Sequence, residues 1–238
     1  KTNAYGLGAI PVARRLAREG AKTFFVAHAG EGIELKERGG SFHPKTRFIV
    51  LGGLAGEAPA LFLRHALLPA LATPSDLEIW GAEARNQGRA LPCAIHIDTG
   101  MNRLGLPGAL ALDLVRGADH STGLKIELML SHLACADEPG HPMNEAQRLR
   151  FETLRTRLPP AAASLANSSG IFLGAPYHYD LVRPGMALYG LNPTPADANP
   201  MAPVFRLEAP ILQIRQIERG ESVGYGASFR AAGPTVVA

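Results

Sequence analysis

Five short blocks gather the residues whose types can do chemistry: Lys1 to Gly6, His96 to Arg103, Ser131 to Asp137, Asn167 to Gly170 and Arg183 to Met186. A sixth, Gly224-Tyr225-Gly226, lies near the C-terminus. Lysine, tyrosine and histidine can exchange protons where their surroundings bring the pKa toward neutrality. Arginine cannot, but its planar fork suits carboxylates and phosphates. Hydroxyls beside free loop amides suit a phosphate. Taken singly, each residue also has an ordinary structural reading. Lys1 alone reads as a solvated surface lysine and Tyr225 as a hairpin tyrosine packed on a neighbour. His132 reads as a core histidine at a strand end, Arg183 as a surface ion-pair partner and Ser168 as a helix N-cap.

The elements that must position these blocks follow from periodicity. Apolar runs at Thr23 to Ala27, Arg47 to Leu51, Leu67 to Leu71, Leu91 to Ile97, Leu124 to Leu130, Ala162 to Ala166 and Tyr179 to Val182 predict strands. Helical periodicity separates them, at Ala9 to Arg18, Gly32 to Arg38, Ala58 to His65, Ser75 to Asn86, Gly108 to Gly117 and Asn144 to Leu158. This α/β alternation predicts a parallel sheet covered by helices. Seven such units with one further strand ahead of Lys1 would make a (β/α)8 TIM-type barrel, preferred over an open doubly wound sheet. Chemistry in such barrels sits at the C-terminal ends of strands, where the polar blocks fall.

After Gly190 the composition turns rich in Pro, Ala and Asn, which predicts a linker. Val204 to Ile217 and Ser222 to Phe229 then read as strands around an Arg219-Gly220 turn. The expected division is residues 1–202 as the barrel and residues 203–238 as the start of a β-rich domain.

Bulk composition narrows the function classes. With 46% hydrophobic and 19% charged residues the chain is expected to fold rather than remain disordered. A net charge of +3 without a basic block argues against nucleic-acid binding. No apolar run approaches the roughly 18 residues of a membrane span. Cys93 and Cys135 have no metal-type or redox spacing, so both are expected to be reduced thiols in a cytoplasmic protein. The histidines show no metal-ligand spacing, and no metal is expected.

Read in order, KTNAYGLGA, HIDTGMNRLGL, SHLACADEP, SLANSSG, HYDLVRPGMALYG and ESVGYGASF resemble successive blocks of the alanine racemase family. The resemblance covers essentially the whole chain. It implies a barrel that binds pyridoxal 5'-phosphate, a following β domain, and a homodimer that interconverts L- and D-alanine, supplying D-alanine for peptidoglycan. It also implies that a strand precedes Lys1 and that the β domain extends past Ala238.

By that resemblance Lys1 joins the cofactor through its amine and serves one face of the substrate. Tyr225 serves the other face, in the partner subunit's site. His132 resembles the histidine linking that tyrosine to an arginine, and Arg183 resembles the arginine facing the cofactor's pyridine nitrogen. Tyr5, Ser168 and the amides of Gly185 and Met186 resemble the phosphate cradle. Arg103 resembles the residue that holds the cofactor's phenolic oxygen and the substrate carboxylate. Asn167 reads as a turn residue or an outer support. One departure stands out: where some members of that family carry a carbamylated lysine, this chain has His96, so whatever positions Arg103 must differ, with His96 itself and a bound anion as the candidates. The alternatives are a serine or broad-spectrum racemase of the same fold and a non-catalytic barrel that binds pyridoxal phosphate. Val204 to Phe229 and Tyr225 argue against the second. Decarboxylases of this fold are set apart by a cysteine in place of the tyrosine and an acidic residue in place of Arg183.

Overall fold

The computed structural model describes residues 2–116 and 123–238. Lys1 and His120 lie outside the described residues. Two compact units are present, residues 1–202 and residues 203–238.

The first unit is built on a parallel sheet. Its strands are β1 (Thr23–Val26), β2 (Arg47–Val50), β3 (Leu68–Leu71), β4 (Leu91–Asp98), β6 (Leu124–Leu130) and β7 (Ala162–Ser164), neighbouring one another in that order, with a short β5 (Leu106–Pro107) beside β4. Every pairing is parallel. The crossovers are helices at Ala29–Arg38, Pro59–Arg64, Pro74–Asn86, Gly108–Arg116 and Pro142–Arg155, after a first helix at Ala9–Arg18. The element order is that of the (β/α)8 TIM-type class.

Strand alternation divides the core in two. Phe48, Val50, Leu71, Cys93, Ile95 and Met129 face the helices, while Ile49, Leu68, Ala70, Ala94, Leu128 and Leu130 form a second cluster on the opposite face. His96 follows Ala94 by two residues on β4 and shares that second face. Some of these helices start at side-chain caps. Thr73 and Asp76 form a reciprocal capping box with Pro74 in the first turn, and His28 and His141 cap their helices through ring nitrogens. Phe24, Phe42 and Phe48 pack with ring centroids 5.1–5.7 Å apart and seal the β1–β2 end of the core.

One expected strand is absent. Tyr179 to Val182 runs beside β7 without regular pairing, because Asp180 and Leu181 both donate to the single carbonyl of Ala163 while the Asp180 carboxylate takes the Ala163 amide. A side chain thus occupies a ladder position, and Tyr179 is turned to φ 51°. Another strand, β5, had no apolar run to announce it.

The second unit is more irregular than its sequence suggests. β8 (Arg215–Ile217) pairs antiparallel with β11 (Thr235–Val237), and β9 (Ser222–Val223) with β10 (Phe229–Arg230). The Arg219-Gly220 turn exists, yet the strands on either side of it pair elsewhere. Residues 204–214 form no strand, and Pro210 within them has no N–H to give a ladder. Both cysteines are free. Among the described residues no helix is long and apolar enough to cross a membrane, and no cluster of His, Cys, Asp and Glu could hold a metal ion.

Candidate active site

A cleft of about 1060 Å³ opens in the first unit, and its walls include Tyr5, His96, Arg103, His132, Asn167, Ser168, Arg183, Gly185, Met186 and Tyr189. Residues of all five polar blocks converge there, three of the blocks following the ends of β4, β6 and β7. Loop hydrogen bonds then fix their geometry.

The loop after β4 is folded by Asp98. Its carboxylate accepts the amides of Gly100, Met101 and Asn102 at 2.9–3.1 Å, which closes the turn carrying Arg103. Arg103 itself is exposed. His96 is only 7% exposed, and its Nδ1 has no hydrogen-bond partner among the described residues. Burial, the nearby Arg183 charge and, more weakly, Arg103 push its pKa down to about 4, against an opposing pull from Asp98. The imidazole is therefore neutral at neutral pH.

Arg183 is held by a set of loop acceptors. Its guanidinium donates to the Ser164 hydroxyl and to the carbonyls of Ser131 and Leu165, and Nη2 lies 3.5 Å from His132 Nδ1. Burial lowers its pKa to about 10, which leaves it charged at neutral pH. His132 in turn has Asn167 Nδ2 at 3.4 Å from its Nε2. Asn167 is more than a turn residue: it also donates to the Leu133 carbonyl and caps Ser168–Phe172 by accepting the Gly170 amide at 2.9 Å.

Ser168, Gly185 and Tyr5 form one corner of the cleft. Ser168 Oγ accepts the amides of Gly185 at 2.9 Å and Ala187 at 3.3 Å. The Gly185 amide is thus already engaged by the hydroxyl beside it. A Cβ at position 185 would overlap the Tyr5 hydroxyl, so the phenol can lie where it does only over a glycine. Tyr5 packs against Tyr189 with centroids 5.0 Å apart, and burial raises its pKa, so the phenol stays protonated and able to donate. A hydroxyl, a protonated phenol and a side-chain-free backbone are what an anionic phosphate requires.

Thr2, Asn3, Ala4 and Tyr5 all have φ between 40° and 60°. Such left-handed backbone costs an L-residue about 1–2 kcal/mol, so the surroundings must hold it in place.

Two further residues organise the site without any sequence signal at the level of motifs. Gln147, fully buried on the Pro142–Arg155 helix, donates to Thr99 Oγ1 and the His132 carbonyl and accepts the Ala134 amide, joining two strand-end loops. Glu31 accepts the amides of Asn3 and Ala27. In each sequence segment the residue looks like one more polar helix position; only the tertiary pairing distinguishes it. Tyr225 belongs to the second unit, at a turn with Gly226 at φ 71°, and its side chain is fully exposed.

Comparison with known proteins adds an independent line. The family model described as "Alanine racemase, N-terminal domain" matches residues 1–193. A catabolic alanine racemase of Mesorhizobium japonicum is 49% identical over 238 residues, covering 100% of this chain and 62% of the relative. An alanine racemase of Rhodospirillum rubrum is 44% identical, covering 99% of this chain and 63% of its own length. Among solved structures, the alanine racemase of Bartonella henselae, described with covalently bound pyridoxal phosphate, superposes with a TM-score of 0.88 at 35% identity, covering 98% of this chain and 64% of that one. The chain thus spans less than two thirds of the length of these relatives.

Proposed function

This chain belongs to the alanine racemase N-terminal domain family, and from that premise we propose that the protein it is part of interconverts L- and D-alanine with pyridoxal phosphate. The observation that carries the proposal is the cleft in which Tyr5, His132, Ser168, Arg183 and Gly185 come together. When bound, the cofactor supplies an electron sink that makes the Cα proton of an amino acid labile.

The residues fit that group. Ser168, the Tyr5 hydroxyl and the Met186 amide would hold its phosphate, with the Gly185 amide already given to Ser168. Arg183 would face its pyridine nitrogen. A guanidinium with a pKa of about 10 keeps its proton, so it would leave that nitrogen unprotonated. The electron demand stays modest, which favours return of the proton to Cα over side reactions. Arg103, charged and exposed on the cleft, would hold the substrate carboxylate.

Racemisation needs a proton removed on one face of Cα and returned on the other. Lys1 would work on one face and Tyr225 on the opposite one. We assign Tyr225 to the partner subunit's site in a homodimer; its full exposure on the second unit leaves the phenol available to another chain. The product D-alanine would serve peptidoglycan, and the enzyme would work in the cytoplasm.

The test is the full-length protein incubated with pyridoxal phosphate and either enantiomer of alanine, with the opposite enantiomer quantified over time. Approach to an equal mixture from both sides is expected. No interconversion from either side overturns the proposal.

A further inference from the structure

The left-handed run Thr2–Tyr5 presents Tyr5 to the corner where Ser168 and Gly185 meet. Part of what holds the run lies within it or beside it. The Asn3 carbonyl accepts the amides of Gly6 at 3.1 Å and Gly8 at 3.0 Å, and its side chain accepts the Ala9 amide at 2.9 Å. These bonds close the turn upon itself and upon the following helix. They do not fix it to the sheet.

That link comes from Glu31. Its Oε1 accepts the Asn3 amide at 2.6 Å, and its Oε2 accepts the Ala27 amide at 2.7 Å. Ala27 directly follows β1, so one carboxylate bridges the end of a strand and the middle of the strained run. Glu31 is only 9% exposed and sits in the first turn of Ala29–Arg38, whose own His28 cap holds that turn in place. Both contacts are short and use an ionised acceptor, the stronger class of hydrogen bond. No other acidic residue in the neighbourhood is needed: each carboxylate oxygen meets one backbone donor, from segments 28 and 4 residues away.

We propose that Glu31 is a positioning residue for the phosphate corner: its carboxylate clamps the left-handed run to β1 and thereby holds the Tyr5 hydroxyl over Gly185. The proposal rests on the reading of that corner as a phosphate cradle. Glu31 touches neither cofactor nor substrate; it acts through Tyr5.

The experiment uses the full-length protein and pyridoxal phosphate itself as the probe. Wild type, Glu31→Gln, Tyr5→Phe and the double variant are titrated with cofactor, and dissociation constants are compared. Glutamine keeps the shape but replaces one acceptor by a donor that faces a backbone N–H. Each single change is expected to weaken cofactor binding about tenfold. The double variant is expected to be no weaker than the worse single one, because both act on the same contact. An unchanged constant in Glu31→Gln, or losses that multiply in the double variant, overturns the proposal. A wild-type protein that fails to bind pyridoxal phosphate would instead sink the cradle reading before any variant is compared. Should Glu31→Gln not fold, Ala4→Gly is added to it, since glycine takes the φ of 52° without a Cβ penalty. That combination folds and retains cofactor if the carboxylate serves to hold the run. Its failure to fold counts against the clamp.

Discussion

The Ser168 hydroxyl accepts the Gly185 amide at 2.9 Å, so two loops seventeen residues apart close on a single oxygen. The same glycine lies beneath the Tyr5 hydroxyl. Three distant segments therefore meet at one corner of the cleft, and small changes there are coupled.

Gly185→Ala is expected to displace the Tyr5 hydroxyl, which a Cβ there would overlap. Cofactor affinity should fall about tenfold. Tyr5→Phe removes the atom that the new methyl would strike. In the double variant the two losses should not multiply, as read by spectrophotometric titration of all four proteins. Independent losses would mean that Tyr5 and Gly185 do not share a contact.

His96 makes the stability pH-dependent. Its folded pKa of about 4 lies below the unfolded value of about 6.5, so between those values the unfolded chain binds a proton that the fold refuses. Its contribution is complete above pH 6.5 and is lost as pH falls toward 4. At about 1.4 kcal/mol per unit, the loss is on the order of 3 kcal/mol. His96→Asn should flatten the fall in unfolding free energy over that window, measured in urea from pH 7 to pH 4. Parallel curves for the two proteins would contradict the assigned shift.

Replacing Arg183 by lysine keeps the charge but not the fork. At least one of Ser164 Oγ and the Ser131 and Leu165 carbonyls then loses its donor. A cost of about 1–3 kcal/mol per unsatisfied buried group follows, visible as a lowered midpoint in chemical denaturation. Racemisation should slow as well. Wild-type stability in Arg183→Lys would show that the guanidinium network is not what holds these loops.

How much of this was legible beforehand depends on the range of the interaction. The strand-end blocks could be read because polar residues interrupt apolar runs at regular places, and His96 falls on the inner face by simple alternation from Ala94. The sequence points to Ser168 as the cap of the following short helix, but Asn167, one residue earlier, takes that place by accepting the Gly170 amide. Tyr179 to Val182 misled because four mostly apolar residues cannot reveal that the Asp180 carboxylate takes the place of a backbone acceptor. Glu31 and Gln147 carried no signal, since their partners lie in other loops. The strands of the second unit were overestimated for the related reason that alternation specifies a face but not a pairing partner.

Tyr225→Phe tests the division of labour proposed for the two faces of Cα. It retains the ring and removes the hydroxyl. Racemisation should drop about 10²–10⁴-fold in both directions. With Lys1 assigned to the D-alanine face and Tyr225 to the L-alanine face, solvent exchange of the D-alanine α-proton should persist, while exchange from L-alanine should fall with turnover. Deuterium uptake followed by NMR distinguishes these, and equal loss from both enantiomers would refute the division. Mixing Lys1→Ala and Tyr225→Phe subunits should restore one working site per heterodimer if the tyrosine acts across the interface.

The central claim is that Lys1 carries the cofactor in the full-length protein. Borohydride reduction of the holoprotein, followed by proteolysis and mass spectrometry, reads this directly. A single pyridoxyl adduct on Lys1 is the predicted result. An adduct on Lys22, Lys36, Lys45 or Lys125 with Lys1 unmodified, or no adduct at all, would contradict it.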